Sequence, residues 1–203
     1  MWRKLNFYTF KGFVKPNIMD IKIGSQTWGP DASEQKIAQE KAKYLGTKGP
    51  FGYSILGMLV HAFDENSENS LKMLDKSFGK ELKQDEIQQV PEIFFNHEEN
   101  PPMELIQIFV TKIATILETF QEQRKYKIYA SSLLMAYDAE AVQKFKNQEI
   151  DLDELENYVN IRLIDFAHVF NAHGEPDENF LTGLTNLLDL FTMTLENLKI
   201  MNN

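Results

Sequence analysis

Apolar residues recur at helical spacing through residues 103–123, where Ile106, Phe109, Val110, Ile113, Ile116, Leu117 and Phe120 share one side. That spacing predicts a long core helix with no chemistry of its own. Leu184, Leu187, Leu188, Phe191, Leu195 and Leu198 predict a final helix, capped by the segment that starts at Asp177. Another helix is expected from about Lys83 to Phe95, after which an acidic loop ends in Pro101-Pro102. Elsewhere the period is two. Between Pro16 and Gly24, alternation puts Ile21 and Ile23 on one face of a strand and Asp20, Lys22 and Gly24 on the other. Phe51–Val60, Ile128–Tyr137 and the stretch from Ile161 to Ile164 read as further strands, the last buried on at least one face. Asp31 is the expected N-cap of a helix reaching about Tyr44, with Glu34 three residues on as in a capping box. Residues 64–70 read as a polar loop, Asp138 to Tyr158 as an acidic link, and residues 1–15 as an aromatic, basic strand or hinge.

Composition sets the class. With 203 residues, 43% of them hydrophobic, the chain can bury one sizeable core. It has no cysteine, which excludes a disulfide framework and thiolate chemistry and suits a reducing compartment. The first five residues lack the apolar run of a signal peptide, and residues 51–63 are too short to span a bilayer. A protein of the cytoplasm or nucleus, off the membrane, is expected. A net charge of −9 argues against a nucleic-acid binder. The charge is uneven, however: residues 1–50 hold nine Lys or Arg against four acids, a balance of +5 beside −14 for the remainder. A basic end on an acidic chain is either a local site for a small polyanion or a chance asymmetry of the surface.

Three places could carry chemistry. Asp165 arrives where the strand ending at Ile164 should stop. A carboxylate on so firm a mount suits Mg²⁺, a hard cation, or else it caps the next turn or pairs with Arg162. Asp20 and Lys22 project side by side, fit to accept from ribose hydroxyls and to neutralise a phosphate, or to form an exposed pair of little energetic value. Lys36, Gln39, Glu40 and Lys43 share one helix face. At about 1.5 Å per residue the lysines would stand roughly 10 Å apart, enough to straddle a phosphorylated ring. The alternative is a solvated face with a Lys36–Glu40 pair.

The segment Pro16-Asn17-Ile18-Met19-Asp20-Ile21-Lys22-Ile23-Gly24 resembles the signature of the inositol polyphosphate kinase family. The family's later landmarks follow in order: Asp31-Ala32-Ser33-Glu34, Gly52 to Met58, Asp75 to Leu82, Ser132-Leu133-Leu134 and Ile164-Asp165-Phe166-Ala167-His168. The last of these is similar to the hexakisphosphate-kinase and multikinase branches. The resemblance implies an α+β, protein-kinase-related fold. Only fifteen residues precede Pro16, so residues 16–203 would form the C-terminal lobe, with a substrate helix over 31–44, and residues 1–15 a residual hinge around Asn6, Phe7 and Tyr8. It implies an ATP- and Mg²⁺-dependent kinase acting on inositol phosphates, and a monomer is expected. Asp20 would contact ribose, Lys22 phosphate, Ser132 the nucleotide phosphates and metal, and Asp165 the metal. Lys36, Gln39 and Lys43 would hold substrate, helped by Lys22. His168 would orient or deprotonate the attacking hydroxyl, or serve as a hydrogen-bonded structural histidine. Glu40 and Ser54 depart from the family pattern, which usually has an amide or base and an arginine there, and the segment Asp75–Leu82 is expected to be scaffold. The competing class is a non-catalytic inositol phosphate binder built on the C-terminal lobe.

Overall fold

The strand β1 (Pro16–Ile23) carries apolar residues on one side and mixed residues on the other, and it lies at the centre of the molecule. The computed structural model describes residues 10, 12–63 and 71–201. The proposed hinge residues Asn6, Phe7 and Tyr8, and the loop 64–70, lie outside the described residues. β1 is flanked by β2 (Tyr53–His61) and β5 (Ser132–Asp138). β3 (Leu71–Leu74) and β6 (Val159–Ile164) complete a five-stranded sheet of order β3-β2-β1-β5-β6, antiparallel throughout. A second sheet pairs β4 (Tyr126–Tyr129) with β7 (His168–Asn171).

Met19, Ile21 and Ile23 point from β1 into the main core. That core is roofed by two long helices, α5 (Met103–Glu122) and α8 (Glu178–Met201). α5 buries Leu105, Ile106, Ile108, Phe109, Ile113, Leu117 and Phe120; of the stripe its period predicts, Val110 and Ile116 are only half-buried, and Leu105 and Ile108 are buried in addition. Its outward threonines, 111, 115 and 119, each donate to the carbonyl four residues back. Phe94, Phe95, Phe109, Tyr137 and Phe191 form one aromatic cluster, mostly edge-on, with ring centres 5.2–6.2 Å apart. Burying each such side chain is worth ~1.5–3 kcal/mol, so this cluster is a main source of the fold's stability. Tyr137 satisfies its hydroxyl by donating to the Phe94 carbonyl at 2.7 Å.

The opposite face of the sheet divides in two. At one end Ile18, Leu59, Leu134 and Ala136 are covered by Phe10, with Phe13 and Ile164 beside them. The chain entering β1 is held there by Asp138, buried at the end of β5, which accepts from the backbone N–H of Val14 at 2.7 Å and of Lys15 at 2.8 Å. At the other end the face is polar.

Several expectations shift. The helix expected over 31–44 is α1 (Glu34–Lys41), and its N-cap is Ser33, whose hydroxyl accepts from the Lys36 N–H at 3.3 Å, in place of Asp31. Lys83 to Phe95 contains a 3-10 turn, Gln84–Glu86, and the shorter helix α4 (Gln89–Phe94). The strand expected over 128–137 is split into β4 and β5 at Ala130, whose φ of 57° no strand tolerates. The acidic link folds into α6 (Ala139–Lys146) and α7 (Leu152–Asn157). β6, like β3, is an edge strand, and it is mostly half-buried because only β5 pairs with it.

Candidate active site

Register builds the site. Lys22 on β1 pairs with Ser54 on β2 and Ser132 on β5, and Ser132 pairs with Ile164 on β6. Paired residues of an antiparallel sheet share a face, so the four side chains form one row across the sheet. Asp20 stands two residues along, on that same face. Asp165 follows Ile164 at the strand's end and turns out of the sheet with φ 65°, a left-handed conformation that aspartate tolerates better than most residues. The Ser131 hydroxyl fixes this turn by donating to the Asp165 carbonyl at 2.8 Å. Arg162 donates to Asn160 at 3.2 Å, so its guanidinium is engaged there and not with Asp165.

Asp20 is buried, and burial pushes its carboxyl above the usual carboxylate range. The Ser132 hydroxyl comes close enough to favour the charged form, though not in full hydrogen-bond geometry. The Asp165 carboxylate pushes the same way as burial, and Lys22 and Lys76 pull against it. Oδ1 of Asp20, Oγ of Ser132 and Oγ of Ser54 are buried with no partner. Among the described residues no three acidic or histidine side chains form a complete metal cage. Mg²⁺ does not need one, since it keeps several waters and binds through one or two carboxylates and a substrate's phosphates. An exposed Asp165 near the orphaned oxygens of Asp20 and Ser132 fits that requirement.

Beside this row lies a cavity of about 290 Å³ lined by Lys22, Lys43, Lys48, Lys76, Lys80 and one acid, Glu40. Thr27, Tyr44, Ser54 and Leu56 complete the wall. A larger cavity of about 850 Å³, near Phe51, Leu190 and Met193, has no lysine or arginine in its lining and includes the acids Asp85 and Asp189. The lysines come from separate elements. Lys48, at the start of α2 (Lys48–Phe51), is only 5% exposed and donates its Nζ to the Glu40 carbonyl. Burial lowers its pKa, helped by Lys43 and Lys22 and opposed by Glu40. Lys76 and Lys80 lie one turn apart on α3 (Lys76–Glu81). Gly79 lets that helix rest on β2, because any Cβ there would collide with the Ile55 carbonyl. The segment expected to be scaffold therefore supplies two of the cations. Their lysine identity and the glycine between them were the only local signal.

Of the predicted substrate residues, Lys22 and Lys43 line the cavity, and Lys36 and Gln39 do not. The two helix lysines do not straddle a ring. Both ammonium groups bond the same Glu40 oxygen, at 2.9 Å from Lys36 and 2.8 Å from Lys43, so they lie less than about 6 Å apart. His168 is exposed at the start of β7, opposite Tyr129, and does not line the cavity.

The inositol polyphosphate kinase family model matches residues 8–192. Inositol hexakisphosphate kinase 3 of Mus musculus is 29% identical over 191 residues, which cover 88% of this chain and 47% of that protein. Inositol polyphosphate multikinase alpha of Arabidopsis thaliana is 28% identical over 198 residues, 91% of this chain and 66% of that one. The crystal structure of an inositol phosphate multikinase from S. cerevisiae, in complex with ADP and Mn²⁺, superposes with a TM-score of 0.76 at 25% identity, covering 92% of this chain and 81% of that chain. The chain spans about half to two thirds of the length of these curated relatives. With the signature and five further family motifs in order, and residues 8–192 matched by the family model, the chain belongs to the inositol polyphosphate kinase family.

Proposed function

We propose that this chain transfers the γ-phosphate of ATP to an inositol phosphate. The observation that carries this reading is the lysine cavity opening beside Asp20, Ser132 and Asp165. Five cations against one carboxylate, walled by protein on several sides, suit a compact polyanion. Lys22 belongs to both halves of the site. It lines the cavity, and its charge acts on Asp20. In that position it neutralises the phosphoryl group in transit and holds the acceptor near it. Asp165 and Ser132 would hold Mg²⁺ with the nucleotide phosphates, and the ion would supply positive charge to offset that of the transferred group. Asp20 accepts from the nucleotide's ribose. We give His168 no step.

A non-catalytic binder would need the lysines alone. It would have no use for Asp20, a carboxylate kept buried and incompletely partnered at a cost to stability. Sites that hold such groups are disproportionately catalytic. Incubation with γ-labelled ATP, Mg²⁺ and an inositol trisphosphate tests the proposal. Label is expected in the inositol fraction with wild-type protein and is lost with Lys22→Met. A folded wild-type chain that transfers no label overturns it.

A further inference from the structure

Glu40 is the one acid in a wall of lysines. Its Oε1 accepts from Lys36 at 2.9 Å and from Lys43 at 2.8 Å, and its Oε2 accepts from the buried Thr27 hydroxyl at 3.0 Å. Its backbone carbonyl accepts from Lys48. Burial alone would raise its pKa, but the bonds from Lys43, Lys36 and Thr27 outweigh burial and hold it at about 2. The carboxylate is therefore ionised at any physiological pH. It lines the cavity, and its side chain is 12% exposed.

Two consequences follow for a ligand. A phosphate brought against Glu40 meets a fixed negative charge, which also offsets part of the positive charge of Lys36 and Lys43. A ring hydroxyl meets the opposite. A carboxylate has about four acceptor positions, and three are occupied here, which leaves one on Oε2 for a donor.

Resting on the proposed function, we infer that Glu40 is a specificity-determining residue: it selects an inositol phosphate that presents a free ring hydroxyl to it and discriminates against the fully phosphorylated ring. The acceptor is then a hydroxyl and the product a phosphate monoester. The γ-phosphorus–bridging-oxygen bond of ATP breaks, a bond forms from that phosphorus to the ring oxygen, and the hydroxyl proton leaves to solvent with ADP as the other product.

Titration calorimetry of wild type and Glu40→Gln, each against a myo-inositol trisphosphate and myo-inositol hexakisphosphate at physiological salt, is the test. The amide keeps the side chain's size and removes its charge. Wild type should bind the trisphosphate at least as tightly as the hexakisphosphate, although the latter carries twice the phosphates. Glu40→Gln should shift the affinity ratio toward the hexakisphosphate by roughly ten-fold or more, the size expected for one charged contact. A purely structural role for Glu40 would change both affinities together and leave the ratio alone. Tighter binding of the hexakisphosphate by wild type, or a ratio moved by less than about two-fold, overturns the inference while leaving the proposed function standing. Failure of both proteins to bind either ligand overturns the two together. Thermal melting of each protein verifies the fold, and the wild-type comparison alone decides the matter if the variant does not fold.

Discussion

Asp20→Asn should make the ligand-free protein more stable and less active. Asp20 is only 9% exposed, Oδ1 has no partner, and burial together with the Asp165 charge raises its pKa. An aspartate in the unfolded chain ionises near 3.9. With the folded value raised, the folded protein holds the proton to higher pH than the unfolded chain does. Stability is thus fully present below about pH 3.9 and is lost as pH rises through the folded pKa. Asparagine keeps the shape and cannot ionise. Relief of part of one carboxylate's burial cost, on the order of 1 kcal/mol, raises the Tm of a chain this size by ~2–4 °C. Melting should be followed by circular dichroism at about pH 7.5 and again near pH 4, in chelator and without nucleotide, because bound metal would favour the wild type. The variant should melt higher at neutral pH, and the difference should shrink toward zero at the acidic end. A variant that melts lower than wild type at neutral pH, or a difference that does not change with pH, refutes the argument.

Two further outcomes follow from the cavity. Lys76→Ala and Lys80→Ala should each weaken calorimetric binding of an inositol phosphate by ~10-fold or more, most strongly at low salt. Lys36→Ala should cost less than Lys43→Ala because Lys36 lies outside the lining; equal losses from all four would refute the cavity's boundaries. Gly79→Ala should lower the urea midpoint by the equivalent of ~1–3 kcal/mol and weaken ligand binding with it, since α3 must retreat from the Ile55 carbonyl and carry Lys76 and Lys80 away. An unchanged midpoint would contradict the close approach of α3 to β2.

The parts of the fold with strong local periodicity were legible. α5 and α8 announced themselves through apolar stripes many residues long, and alternation placed Asp20 and Lys22 together on the polar face of β1. Asp165 was legible as a strand-end acid because an apolar run stops at it. The cavity was not. Lys48, Lys76 and Lys80 come from two short helices, and nothing local states that these helices converge. Their meeting depends on a tertiary approach that Gly79 permits. Ser33 and Asp31 are equally good caps by residue type, and the choice between them lies in which one the chain turns at. Glu40 was the most instructive case. Read along the helix it was an acid out of place, yet in the structure it gathers Lys36, Lys43 and Thr27 onto one carboxylate. Side-chain length and flexibility let the lysines converge where backbone spacing alone put them apart.

If Asp165 serves phosphoryl transfer while the lysines hold the acceptor, a substitution at Asp165 separates turnover from acceptor binding. Turnover of wild type and Asp165→Asn should be measured in saturating Mg²⁺ and ATP with an inositol trisphosphate, alongside calorimetric binding of that acceptor alone. Asparagine fills the same space without the charge proposed to hold the metal, so turnover should fall by at least about 100-fold, as is usual when a charge-stabilising group is removed. Acceptor affinity should stay within about two-fold, because Asp165 does not line the lysine cavity. Near-normal turnover by the variant would remove Asp165 from phosphoryl transfer.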